Sequence, residues 1–203
     1  MLTIVCYPPG AGGNHFKNIL CLDQSFANSK DLDIIKVYYK NKEEEIGEVP
    51  AIPGRNVHEY FIDQLCSDVD RDYILQCHFG EIAVYRDRII NLDKKLIILT
   101  IDQSNDRRML EKRQNQLGQN IHPYWLDEEL LLLYQPLMYT IYFGIPESNI
   151  MTIPINHFWN PDLDTHSIVD RTNDFLGKKI PKDQAQKLHD RWQEINYNPS
   201  KNL

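Results

Sequence analysis

Leu2-Thr3-Ile4-Val5-Cys6-Tyr7-Pro8-Pro9-Gly10-Ala11-Gly12-Gly13-Asn14-His15-Phe16-Lys17 decides how the rest of the chain is read. Leu2 to Tyr7 is a short apolar run rich in strand formers. It stops at two prolines, and Gly10, Ala11, Gly12 and Gly13 follow. Phe16, Ile19, Leu20 and Leu22 then recur at helical spacing, with Asn14 as the candidate N-cap. In a strand, glycine-rich turn and helix, exposed N–H groups and the positive helix end can hold phosphate or sulfate. The same glycines also suit a tight turn that needs positive φ, and the residues alone allow both readings.

Outward from this turn, strands and helices alternate. Ile34–Tyr39, within Asp31 to Tyr39, predicts a second strand, and the charged, proline-containing stretch Lys40–Gly54 an exposed loop in which Glu43-Glu44-Glu45 is solvated. Asn56–Cys66 reads as a helix and Tyr73–His78 as a strand that stops at Phe79-Gly80, while Tyr85–Leu92 is ambiguous. Lys95–Asp102 is the clearest buried strand. Asn105–Gly118 and Leu126–Gly144 predict two helices, the second bent near Pro136. Asn149–Ile155 is a last strand; Ser167–Gly177, with Gly177 as C-cap, and Lys182–Asn196 are terminal helices. Several strands are continuously apolar, which favours a mostly parallel sheet covered on both faces: an α/β protein of three α/β/α layers. One domain over residues 1–203 is expected, with 161–203 as its C-terminal helical part.

Composition narrows the function. Apolar residues make up 42% and charged residues 25% of 203, ordinary globular values that exclude a disordered chain. Against 29 acidic residues stand 22 Lys and Arg, a net charge of −7, so no nucleic-acid partner is expected. No apolar run reaches the roughly 18–20 residues of a membrane span, and no signal peptide is read at the start, which predicts a cytoplasmic protein without membrane contact. Cys6, Cys21, Cys66 and Cys77 lack CxxC spacing and read as reduced, buried thiols. The seven histidines show neither HxH nor HExxH spacing, so no metal is expected.

His78 ends its strand beside the glycine-rich turn, where an imidazole suits general-base chemistry or a structural hydrogen bond. Glu81 reads as its orienting partner or as a surface carboxylate, and Asn156-His157-Phe158-Trp159-Asn160 as a pocket lining or as packing.

These landmarks, taken in order, resemble the P-loop-type sulfotransferases, which move a sulfuryl group from PAPS to a hydroxyl or amine. Pro9-Gly10-Ala11-Gly12-Gly13-Asn14 is similar in placement to that family's phosphosulfate turn, and Gln76-Cys77-His78-Phe79-Gly80 to the strand end carrying its basic histidine. The strand Lys95–Thr100, with Ser104, Arg107 and Arg108 after it, is similar to its 3′-phosphate site. Ile153–Asn160, Pro161-Asp162 and Asp174-Phe175-Leu176-Gly177 resemble its late strand, turn and helix end. The resemblance implies a P-loop NTPase/sulfotransferase-like fold. It also implies PAPS as co-substrate, a small-molecule or carbohydrate acceptor, and His78 as general base, while Lys17 is expected to help the Gly12 and Gly13 N–H groups stabilise charge on the transferred sulfuryl group. Gly10 to Asn14 and His15 would hold the transferred group, and Ser104, Arg107 and Arg108 the 3′-phosphate. The chain departs from the family at Gly10, where the turn lysine would stand, and near Ile101-Asp102, where the phosphate arginine would stand. Two alternatives follow: a catalytically inactive nucleotide- or anion-binding or interaction protein of the same fold, and an ATP-dependent small-molecule kinase. The kinase lacks its Gly-Lys-Ser/Thr here.

Overall fold

The structure is a computed structural model that describes residues 1–8, 11–26, 36–39, 42–45, 72–101, 134–159 and 165–197. Four strands form one parallel sheet: β1 (Leu2–Cys6), β4 (Tyr73–Cys77), β5 (Lys94–Thr100) and β6 (Ile150–Pro154), in the order β4-β1-β5-β6. Their register sets Cys6 beside both Cys77 and Ile98, and Thr100 beside Pro154. All five residues of β1 are buried, as an unbroken apolar run in the middle of a covered sheet requires.

The two faces carry separate cores. Leu2, Ile4 and Cys6 point to one face, where Ile98, Tyr139 and Phe143 join them. Short helices α2 (Phe79–Ala83) and α3 (Arg86–Ile89) and helix α4 (Pro136–Phe143) supply that layer. Val5 and Tyr7 point the other way, against Phe16 and Ile19 of α1 (Gly13–Leu20). Helices α6 (Thr165–Leu176) and α7 (Lys182–Tyr197) complete this second layer through Val169, Leu188 and Trp192. Among the described residues the architecture is therefore three-layered, as the apolar strand pattern predicts.

Several local expectations change. Gly12, not Asn14, precedes the first helix; its φ of 86° is a left-handed conformation that a glycine takes without strain. Pro136 opens α4 rather than bending a longer helix, because its missing N–H is harmless at a first helical position and disruptive inside. Residues 126–133 lie outside the described residues. Phe79 starts α2 immediately after the strand, and the ambiguous Tyr85–Leu92 holds α3.

The largest departure is β2 (Lys36–Tyr39), which pairs antiparallel with β3 (Lys42–Glu45) in a ribbon separate from the main sheet. Lys42-Glu43-Glu44-Glu45 is thus strand and not loop. Its register sets Lys36 opposite Glu45. Gly177, at φ 69°, ends α6 as expected, and Asn156–Trp159 forms the one-turn helix α5 after β6. The expected helices Asn56–Cys66 and Asn105–Gly118 lie outside the described residues, as does Cys66; Cys6, Cys21 and Cys77 are buried free thiols.

Candidate active site at the carboxyl edge of the sheet

From β1 the chain moves to β4 on one side; from β5 it moves to β6 on the other. The crevice beyond the ends of β1 and β5 is therefore the switch point, where open α/β sheets take their ligands. Tyr7 leaves β1 there, the glycine-rich turn follows, and His78 leaves β4 alongside.

The turn closes by a bond from the Ala11 N–H to the Pro8 carbonyl, 3.1 Å, and Phe16 N–H bonds the Gly12 carbonyl at 3.0 Å. The two described glycines serve different needs. Gly12 supplies the left-handed φ, and a Cβ there would meet the Trp192 ring at an ordinary 3.6 Å. Gly13 supplies room: a Cβ at Gly13 would overlap the Tyr7 ring carbons. Both readings of the turn thus find support, since its helix end carries N–H groups without intrahelical partners while its glycines also meet steric demands.

Tyr7 links the turn to the histidine. The His78 Nδ1 lies 2.7 Å from the Tyr7 carbonyl oxygen. A carbonyl only accepts, so Nδ1 donates, and Nε2 is the nitrogen that carries the lone pair in the neutral ring. The Tyr7 ring meets the His78 ring edge-on, with centroids 4.8 Å apart at 70°. The Tyr7 hydroxyl donates to Asn14 Oδ1 at 3.1 Å. Asn14 is exposed in the first turn of α1.

The neighbouring basic residues turn inward. His15 is 3% exposed and Lys17 4% exposed. His15 stacks on Trp192, with centroids 4.5 Å apart at 6°, and its Nε2 lies 3.1 Å from His189 Nδ1. Burial, and then the neighbouring His189, hold the His15 imidazole well below its usual range. Burial likewise pushes His189 down to about 4, against a smaller pull upward from Asp190. Lys17 loses basicity through burial, offset in part by the Cys21 thiol one turn on, which burial raises to about 11.

The structure thus gathers Ala11, Gly12, Gly13, Asn14 and His78 at one edge and sends His15 and Lys17 into the layer behind it. Pro9, Gly10, Ser104, Arg107 and Arg108 lie outside the described residues, as does the Glu81 side chain. Gln76 Oε1, Thr100 Oγ1 and Asn156 Oδ1, near the ends of β4, β5 and β6, are buried without a hydrogen-bond partner among the described residues. No group of three or more metal-ligating side chains occurs among the described residues, and no described helix is long and apolar enough to cross a membrane.

Sequence reasoning passed over Tyr7, His189 and Trp192. The adjacent Gly12-Gly13 pair carried the signal for Tyr7, because a second glycine is the imprint a packed ring leaves. Nothing near His15 in sequence signals His189, which lies 174 residues away. The chain matches no protein-family model, no curated protein and no solved structure.

Proposed function

We propose that the protein is a group-transfer enzyme of sulfotransferase type, in which a sulfuryl group passes from PAPS to a hydroxyl or amine acceptor. The observation that carries the reading is the His78 Nδ1 to Tyr7 carbonyl bond of 2.7 Å beside a glycine-rich strand-to-helix turn. Donation from Nδ1 makes Nε2 the basic nitrogen, as a general base needs. In the step, the acceptor oxygen or nitrogen forms a bond to sulfur as the bond from sulfur to the bridging phosphate oxygen breaks. Nε2 of His78 takes the acceptor proton, and PAP leaves with the bridging oxygen. Backbone N–H groups of Gly12, Gly13 and Asn14 at the start of α1 stabilise the charge on the transferred group. Lys17, 4% exposed and turned inward, is left out of this step. Ser104, Arg107 and Arg108 remain the candidates for the 3′-phosphate, by resemblance alone.

Calorimetric titration with PAP, with ATP and magnesium run in parallel, tests the reading. PAP binding, with transfer to an acceptor lost in His78→Asn, is expected. Binding of ATP but not PAP would refute it in favour of a kinase. A second reading, an anion-binding protein without catalysis, is favoured by the inward placement of His15 and Lys17. PAP binding unaccompanied by any His78-dependent transfer across an acceptor screen would select it.

A further inference from the structure

We infer that Tyr7 is the positioning residue of this edge: its backbone carbonyl takes the His78 Nδ1 proton, its ring, seated on Gly13, holds the imidazole plane against that carbonyl, and its hydroxyl engages the Asn14 amide beside the bound anion. The inference rests on the reading of His78 as a base and of the turn as an anion site.

Four contacts converge on this one residue. Its own carbonyl takes the Nδ1 proton of His78. Its ring face and edge fix the plane of the imidazole, 70° away. Beneath it Gly13 has no Cβ, and any other residue there would push the ring off its seat. At its tip the hydroxyl donates to Asn14 Oδ1. With its oxygen engaged, the amide has its NH2 left to offer, a group with only donors. Asn14 is exposed at the helix start, where the positive end of α1 already favours an anion. Tyr7 therefore presents a lone-pair nitrogen on one side and a donor pair on the other. A transferase needs a base for the acceptor and donors for the anionic group. The doubled glycine then has a second purpose: Gly12 turns the chain and Gly13 admits the ring.

The test separates the two halves. Nitrogen NMR of labelled imidazoles, at about pH 8.5 where an ordinary imidazole is neutral, reads which His78 nitrogen holds the proton. Wild-type protein is expected to hold it on Nδ1. Tyr7→Phe keeps the ring, so the tautomer stays, while PAP binding weakens several-fold because Asn14 is untethered. Tyr7→Leu and Gly13→Ala keep the carbonyl but remove or displace the ring, so the imidazole turns off its acceptor and the Nδ1 preference falls about tenfold, the worth of that hydrogen bond. A wild-type His78 protonated on Nε2 overturns the inference without recourse to any variant. So does a folded Tyr7→Leu protein with the wild-type tautomer, or a Tyr7→Phe protein that binds PAP as the wild type does. If wild-type protein binds no PAP, the sulfotransferase reading falls and the tautomer comparison still decides the role of Tyr7 toward His78.

Discussion

Mild acid should loosen the packing of α7 on α1, and the His15–His189 pair sets the size of the effect. His189 is 1% exposed and His15 3% exposed, and both are held below an ordinary imidazole by burial. A depressed folded pKa means that the unfolded chain binds the proton first. Stability is therefore complete above the unfolded value, near 6.5, and is lost as pH falls toward the folded value. With His189 at about 4 when folded, going from pH 7 to pH 5 costs about 2 kcal/mol from this group alone. His15 acts in the same direction, since burial and the neighbouring His189 hold it well below the ordinary imidazole range. Asp23 and Asp72, both held below the ordinary carboxylate value of 3.8, act only in stronger acid. Urea unfolding at pH 7, 6 and 5, followed by circular dichroism, measures the slope. His189→Asn should be weaker at pH 7 by about 1 kcal/mol for the lost hydrogen bond, yet flatter against pH by close to one proton. A variant with the wild-type slope would refute the argument, because the proton uptake would then come from elsewhere.

Three further outcomes follow from single contacts. Gly12→Ala should cost about 1 kcal/mol, for the left-handed φ of 86°, whereas Gly13→Ala should cost roughly 1–3 kcal/mol for overpacking against Tyr7; urea midpoints rank the two, and the reverse order would contradict the steric assignment. Lys178 bonds the Asp72 carboxylate at 2.5 Å and the Ser25 hydroxyl at 2.8 Å, and its ammonium lies 4.4 Å from the Phe26 ring centre. Burial alone would raise the Asp72 carboxyl, but its bonds to Lys178 and the N-terminal ammonium outweigh that and hold it low. Lys178→Met should lose about 1–2 kcal/mol at neutral pH and flatten the acid limb below about pH 4, read by thermal unfolding across pH. Tyr139 donates to the buried Cys6 thiol at 2.7 Å, so Tyr139→Phe should change stability by less than about 1 kcal/mol, a thiol being a weak acceptor; a larger loss of melting temperature would show that the hydroxyl holds more than Cys6.

The central strands were legible because burial on both faces writes itself as a near-continuous apolar run, in Leu2–Cys6 and in Leu96–Leu99 within the expected Lys95–Asp102. The end of α6 was legible because only glycine takes the φ of 69° at Gly177 easily. Of the ribbon, β2 lies within the expected strand Ile34–Tyr39, but β3 was not legible, since Lys42-Glu43-Glu44-Glu45 has poor strand composition and is strand through its pairing with β2. Pro136 was read as an interruption because periodicity ran through it, although proline also suits a first turn. At the site, the turn and His78 were visible from their position after strands. The inward fate of His15 and Lys17 was not, because whether a helical side chain faces solvent depends on α7, far along the chain. Tyr7 was hidden for a simpler reason: a tyrosine at a strand end carries no pattern, and its footprint lies in a glycine six residues on.

The connection between His15 and His189 also bears on how the protein is made. A ribosome releases the glycine-rich turn and α1 early, but the imidazole and indole that enclose them lie on α7, 174 residues later for His15 and His189. β1 waits as well, since both of its neighbours, β4 and β5, are still to be synthesised when it emerges. β1 and α1 therefore emerge well before the elements that complete them. Until β4 and β5 are made, Leu2–Cys6 is an apolar strand with two open edges, the form most prone to pair with another chain. Chaperone demand during synthesis should thus fall on this stretch until β5 is made, and a stalled chain ending before residue 73 should expose both of its edges.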